Sequence, residues 1–225
     1  MYRYLFFDAD NTIFDFSKAE HLALIELFTK YDIPTTDEML SSYIKINEEC
    51  WRELEKGRLD DERLKTERFV RFFNANGIKA DPERAGIDQL DLLSTHGDLL
   101  PYAKETLLKL KDRGYHLYII TNGYTSVQNG RIDDAAIRDL FEGIFISGQI
   151  GYSKPDKRFF DAVEKQVKCD KKEALIIGDS LSSDIQLGLN VGIDTCFLDL
   201  KGTCTSDKPK YIIHSLPEVF SLLDR

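Results

Sequence analysis

Apolar residues occur along this chain in two patterns, short continuous runs and longer stretches with helical spacing. The short runs predict buried strands near residues 1–8, 116–121, 144–147, 174–178, 195–198 and 211–214. Helical spacing between the later runs predicts helices near residues 101–113, 124–139, 156–167 and 183–191. Strands that alternate with helices indicate an α/β fold, in which right-handed crossovers join parallel strands.

The stretch from residue 18 to residue 96 has helical periodicity and little strand signal. Breaks at residues 33–34, 57, 76–77 and 81–82 divide it into about four helices. We therefore expect an all-helical domain, residues 17–97, that is inserted after the first strand of an α/β core. Residues 1–16 and 98–225 would form that core.

Polar residues with catalytic potential follow three of the predicted strands. Three polar segments come directly after an apolar run or at its end: Asp8-Ala9-Asp10-Asn11-Thr12, Thr121-Asn122-Gly123 and Gly178-Asp179. Two further candidates, Lys154-Pro155 and Asp184, lie in the second half of the chain. Ligands bind at the carboxyl ends of the strands in an open parallel sheet. Carboxylates, a hydroxyl and a lysine at that edge favour phosphoryl transfer to an aspartate, with magnesium as the counter-charge.

The ordered set Asp-x-Asp-x-Thr, Thr-Asn-Gly, Lys-Pro and Gly-Asp-x4-Asp resembles the haloacid dehalogenase superfamily, specifically its aspartate-dependent phosphatases. The motifs span residues 8 to 184, which is most of the chain. The resemblance implies a Rossmann-like parallel sheet core with the helical insert as a cap domain. It also implies a hydrolase that acts on a phosphate monoester and uses Mg²⁺.

The same resemblance assigns roles to the residues of the first motif. Asp8 is the expected nucleophile, which would form an aspartyl-phosphate. Asp10 is the expected general acid for the leaving alkoxide and then the general base for water. Dehalogenases proper lack this second aspartate, so Asp10 argues for phosphate as the reacting group. Thr12 is expected to brace the loop through its hydroxyl.

The later motifs would bind the phosphoryl group and offset its charge. Thr121 is expected to donate a hydrogen bond to a phosphoryl oxygen, and the backbone N–H groups of Asn122 and Gly123 to add to it near a helix start. Lys154 would offset the charge that Asp8 and the transferring group share.

The resemblance also implies a magnesium site. Its protein ligands would be the carboxylates of Asp8 and Asp179 and the backbone carbonyl of Asp10, and oxygen ligands of this kind suit Mg²⁺. Asp184 would orient Lys154 or a metal-bound water. Its position also suits a helix N-terminal charge, and the two readings are compatible.

Charge and composition exclude several other classes of partner. The net charge is −9 and the pI is near 5.0, so an extended nucleic acid is a poor partner, whereas a small phosphate ester is not excluded. No apolar run reaches the length of a membrane span, and the first residues do not form a signal peptide, so a cytoplasmic location is expected. The four cysteines lack metal-ligand spacing and are interpreted as reduced thiols. The oligomeric state is not predicted.

Residues 47–59, together with 121–128, are similar to the corresponding segments of bacterial house-cleaning pyrimidine 5′-nucleotidases, which hydrolyse UMP, dUMP and dTMP. Trp51 or Tyr43 would then stack on the base, although aromatic residues at helical spacing also pack the interior of a helical domain.

Two alternatives stay open. One is a sugar-phosphate phosphatase of the N-acylneuraminate 9-phosphate type, and the other is a binding or regulatory module without turnover.

Overall fold

The computed structural model describes residues 1–224, and within them six strands form one sheet. The strands are β1 (Tyr4–Phe7), β2 (His116–Thr121), β3 (Gly143–Ile146), β4 (Ala174–Gly178), β5 (Asp194–Leu198) and β6 (Tyr211–Ile213). Their order in the sheet is β3-β2-β1-β4-β5-β6, and every neighbouring pair is parallel. This is the strand order of a Rossmann-like doubly wound sheet, so the predicted fold class is confirmed.

Ten α-helices lie within the described residues. They are α1 (Phe16–Lys30), α2 (Asp37–Glu55), α3 (Asp61–Asn76), α4 (Pro82–Leu93), α5 (Ala103–Asp112), α6 (Thr125–Asp134), α7 (Ser147–Ile150), α8 (Lys157–Gln166), α9 (Gln186–Val191) and α10 (Val219–Leu223). None of them combines the length and the hydropathy that a membrane-spanning helix needs.

The predicted helices and the observed ones differ at four places. The helix predicted at 124–139 ends at Asp134, because Ala136 adopts a positive φ of 50° and a separate 3-10 turn follows. The helix predicted at 183–191 is preceded by a π-helical turn, Leu181–Ile185. The short helices α7 and α10 were not predicted, since four or five residues are too few to show a helical period.

Residues of the chain group into two compact units. One contains residues 1–16, 98–125 and everything described from Ala135 onward, and the other contains residues 17–97 and 126–134. The helical unit thus includes most of α6, which the sequence analysis assigned to the core. The assignment of residues 17–97 as a cap over the active site stays a prediction.

Capping residues lie at several ends of the long helices in the helical unit. Asp60 accepts a hydrogen bond from the N–H of Arg63 at the start of α3, and Asp81 caps α4 ahead of Pro82. Gly77 ends α3 in the left-handed conformation, with a φ of 66°, which costs least for glycine. These caps explain why the breaks in the sequence divide the segment correctly.

Aromatic residues form the apolar core of the helical unit. The ring centroid of Tyr43 lies 6.5, 5.2 and 5.5 Å from those of Phe28, Phe69 and Phe72, and all four side chains are fully buried. Tyr43 therefore packs inside the helical unit, as the second of the two interpretations of the aromatic residues expected.

A buried polar network crosses the same unit and was not predicted. Asn47 donates to Glu20 over 2.7 Å, and Arg68 donates to Asn47 over 3.3 Å and to Gln89 over 2.9 Å. Each of the helices α1 to α4 contributes one member. Because a buried polar group without a partner is costly, the network favours one register of the four helices over others.

Candidate active site

The site lies at the carboxyl ends of three adjacent strands, β2, β1 and β4. Asp8 follows β1, Thr121 is the last residue of β2, and Asp179 follows Gly178 at the end of β4. Phe7 is in register with Ile119 on one side and Ile177 on the other, and the N–H of Asp8 donates to the carbonyl of Ile177 over 2.8 Å. The register therefore brings the three predicted motifs to one edge of the sheet.

The loop after β1 turns back immediately. The N–H groups of Ile13 and Phe14 both donate to the carbonyl of Ala9 over 2.9 Å, and Asn11 adopts a positive φ of 55°. Asp10 lies within this turn, and its charge acts on Asp8. The hydroxyl of Thr12 is buried and has no hydrogen-bond partner in the part of the chain that the structure describes, so the predicted bracing by that hydroxyl is wrong.

Lys154 is the centre of the site. Its side chain is only 1% exposed, and its Nζ donates to Asp8 Oδ1 over 2.6 Å, to Asp184 Oδ1 over 2.6 Å and to the carbonyl of Ile120 over 2.8 Å. The three acceptors match the three hydrogens of an ammonium group. The lysine is therefore held in one position, with its charge against Asp8.

The side chain of Asn122 fixes the main chain of the same lysine. Its Oδ1 accepts from the N–H of Lys154 over 2.7 Å, and its Nδ2 donates to the carbonyl of Lys154 over 2.8 Å. From the sequence, only the backbone N–H of Asn122 was expected to contribute, by binding phosphate. Nothing in the sequence pattern indicates this contact, because it joins two loops that are 32 residues apart.

Asp184 lies at the π-helical turn and faces Lys154. Its second oxygen, Oδ2, accepts from the N–H of Ser180 over 3.1 Å. A Cβ at position 178 would collide with the Asp184 carboxylate, so the glycine at the end of β4 is required for this close approach. Both oxygens of Asp184 thus have protein partners, which favours an orienting function over direct metal binding.

Burial and mutual repulsion shift the ionisation of the carboxylates. Burial raises the pKa of Asp8 well above its ordinary value; Lys154 opposes this, and Asp184, Asp179 and Asp10 add to it. Burial and the charge of Asp184 raise the pKa of Asp179 to about 7. Burial lowers the pKa of Lys154, but Asp184 and Asp8 outweigh it and hold that pKa above its usual range.

The net charge of the carboxylate cluster fits a magnesium ion. Carboxylate oxygens of Asp8, Asp179 and Asp184 lie within 4.8 Å of one another, and Lys154 is the only cation that contacts this group among the described residues. Three carboxylates with one ammonium group leave excess negative charge in a buried place. A divalent cation with oxygen ligands would offset it.

The raised pKa of Asp179 predicts how stability changes with pH in metal-free protein. Its folded value of about 7 lies above its ordinary value of 3.8, so the folded state binds more protons between these values. The free energy of unfolding should therefore fall as the pH rises from about 4 to about 7. Thermal melts should show that Mg²⁺ raises the Tm more at about pH 8 than at about pH 5. An equal Mg²⁺ effect at both values would contradict a metal site that contains Asp179.

The remaining predicted residues lie in two places. Thr121 is buried at the end of β2, and Gly123 is partly buried two residues before α6. Trp51 lies on α2 in the helical unit and is partly buried. Its contact with a substrate stays a prediction.

Comparison with known proteins defines the class to which this fold and site belong. A family model for haloacid dehalogenase-like hydrolases matches residues 2–192. The chain therefore belongs to the haloacid dehalogenase-like hydrolase family, and the expected membership is confirmed.

Three similar proteins extend over nearly the whole chain. The HAD-hydrolase YfnB of Bacillus subtilis is 34% identical over 99% of this chain and 96% of its own length. A crystal structure of YfnB bound to magnesium has a TM-score of 0.94 and covers 100% of this chain and 99% of that one. The pyrimidine 5′-nucleotidases PynA of Streptococcus pneumoniae and YjjG of Escherichia coli are 33% and 29% identical, over 100% and 98% of this chain and 96% and 97% of their own lengths.

Proposed function

We propose that the protein is a magnesium-dependent phosphatase that hydrolyses pyrimidine nucleoside 5′-monophosphates through an aspartyl-phosphate on Asp8. The observation that carries the proposal is the buried contact of Lys154 with Asp8 at the carboxyl end of β1. An exposed Asp after a strand is an ordinary turn residue. A buried Asp that contacts a buried lysine, beside two further carboxylates, is typical of a catalytic site.

In this mechanism Asp8 attacks phosphorus and the ester oxygen leaves. Lys154 holds the attacking carboxylate in position and offsets the charge that it shares with the phosphoryl group. Asp10, which the loop holds next to Asp8, gives a proton to the leaving alkoxide. It then takes a proton from the water that hydrolyses the aspartyl-phosphate.

The end of β2 would bind the phosphoryl oxygens. Thr121 supplies a hydroxyl there, and Asn122 and Gly123 supply backbone N–H groups. The carboxylates of Asp8 and Asp179 and the backbone carbonyl of Asp10 would hold Mg²⁺. An ion bound there would offset the negative charge of the phosphoryl oxygens and the carboxylates together. The magnesium in the YfnB crystal structure supports this part of the proposal.

The substrate is inferred from the relatives, because the α/β core selects only the phosphate. Two of the three relatives are named for pyrimidine 5′-nucleotidase activity, and each aligns with nearly the whole chain, including the helical unit. In the proposal, the helical unit acts as a cap that contacts the nucleoside and excludes water during the reaction, with Trp51 as a stacking partner for the base.

Release of inorganic phosphate tests the proposal directly. We expect hydrolysis of UMP, dUMP and dTMP in Mg²⁺, none in EDTA, and a much lower kcat/KM for purine nucleotides and for sugar phosphates such as N-acylneuraminate 9-phosphate. A preference for a sugar phosphate would contradict the substrate and leave the mechanism intact. Equal turnover in EDTA would contradict the magnesium site.

A further inference from the structure

We propose that the Asn122 side chain is a positioning residue that acts through Lys154. The inference rests on the proposed function of Lys154. Only the backbone N–H of Asn122 was assigned to phosphate binding, whereas the inference concerns its side chain. Asn122 pairs with both main-chain groups of Lys154, accepting from its N–H and donating to its carbonyl over 2.7 and 2.8 Å. The side-chain amide thus forms the pair of main-chain hydrogen bonds that a neighbouring β-strand would otherwise form.

The lysine needs such support because no regular secondary structure holds it. Lys154 lies between α7 and α8, in a segment outside the sheet. Its ammonium nevertheless meets three acceptors at 2.6 to 2.8 Å. A long flexible side chain keeps such geometry only where its backbone is fixed. The position matters for the reaction, because a displacement of about 1 Å costs on the order of 100-fold in rate.

The segment at the end of β2 contacts both the ammonium group and the main chain of Lys154. Ile120 accepts from the ammonium, and Asn122, two residues further on, pairs with the main chain. Thr121 lies between them and is the expected phosphate-binding hydroxyl. One short segment therefore sets the position of the cation relative to the phosphoryl group.

The geometry also assigns the polar atoms of the Asn122 side chain to the protein rather than to the substrate. Its Oδ1 and Nδ2 both bond with Lys154, so its effect on the reaction goes through that residue. Replacing Asn122 with alanine removes both bonds and keeps the backbone N–H of residue 122. The substitution therefore separates the side chain from the phosphate-binding backbone.

The chain offers a matched control next to the same lysine. Asn190 donates to the carbonyl of Pro155 over 2.9 Å, so it also holds this loop, but from an exposed position and through one bond. Its replacement with alanine should leave kcat and KM unchanged.

Kinetics of Asn122→Ala, with thermal melts, form the first test. We expect kcat to fall about 10- to 100-fold with little change in KM, because a displaced Lys154 loses contact with charge that develops in the transition state. Asn122→Ser, which keeps one hydrogen-bonding group, should recover part of the loss. The residual rate of Lys154→Met, measured at high enzyme concentration, should not fall further when Asn122→Ala is added. A full loss in that background, or wild-type kcat in Asn122→Ala, would overturn the proposal.

A second measurement does not depend on catalysis. Acetylation by acetic anhydride, followed by peptide mass spectrometry, reports how well Lys154 is held relative to the exposed Lys109. We expect faster labelling of Lys154 in Asn122→Ala and Asn122→Ser, and wild-type labelling in Asn190→Ala. Unchanged labelling in both Asn122 variants would overturn the positioning role. If wild-type protein hydrolyses no phosphate ester, the proposed function fails while the labelling still decides this inference.

Discussion

Asp8→Asn should reduce phosphate release from UMP by about 10⁴-fold or more, because an amide oxygen is too poor a nucleophile to attack phosphorus. The fold should be retained. The asparagine keeps an oxygen that can accept from Lys154, and the change removes one of three clustered charges. Since burial and neighbouring carboxylates raise the pKa of Asp8, we expect the variant to unfold at the same temperature as wild type or at a higher one.

A suitable control makes the same chemical change on the surface. Asp112→Asn alters an exposed carboxylate at the end of α5 and should leave both rate and Tm unchanged. Substantial residual turnover in Asp8→Asn, with the control at the wild-type rate, would show that the nucleophile is another group.

Lys154→Met should lose activity and also destabilise the protein. The methionine fills a similar volume but leaves Asp8 and Asp184 buried without their counter-charge. Removing one partner of a buried ion pair costs about 3–5 kcal/mol of unfolding free energy. The loss should be larger at about pH 8 than at about pH 5, because burial raises the pKa of Asp8 and its unpaired carboxylate can take up a proton at the lower pH.

Urea unfolding of three variants separates these effects. Lys109→Met, at an exposed position on α5, should change stability by less than about 0.5 kcal/mol. Adding Asp184→Asn to Lys154→Met should restore part of the stability and none of the activity. If Lys154→Met is as stable as wild type at neutral pH, Lys154 does not balance the buried carboxylates.

The parts of the site that were predictable from sequence are those attached to strand ends. The runs before Asp8, Thr121 and Asp179 are apolar and β-prone, so their strands and the carboxyl edge of the sheet follow from the pattern. Parallel pairing then brings the three motifs together without further information. The four helices of the insert were equally accessible, because caps such as Asp60 and Gly77 mark their ends.

The unpredicted contacts join segments that no local pattern relates. Asn122 reads as part of a turn, and only the packed loops show that its amide holds Lys154. The buried network around Arg68 is similar, since each member is a single polar residue on an amphipathic helix. Thr12 shows the reverse error: its place in the motif suggested a bracing hydroxyl, but the loop is closed by backbone hydrogen bonds.

The most direct test of the mechanism is to trap a phosphoryl group on the protein. Asp10→Asn should slow hydrolysis of the intermediate, while p-nitrophenyl phosphate, whose leaving group needs no proton, should still phosphorylate the enzyme. After rapid acid quenching in the presence of Mg²⁺, peptide mass spectrometry should find one phosphoryl group on Asp8, and none in EDTA. Phosphorylation of a different residue, or single-turnover hydrolysis with no phosphorylated Asp8 at any time, would contradict the account.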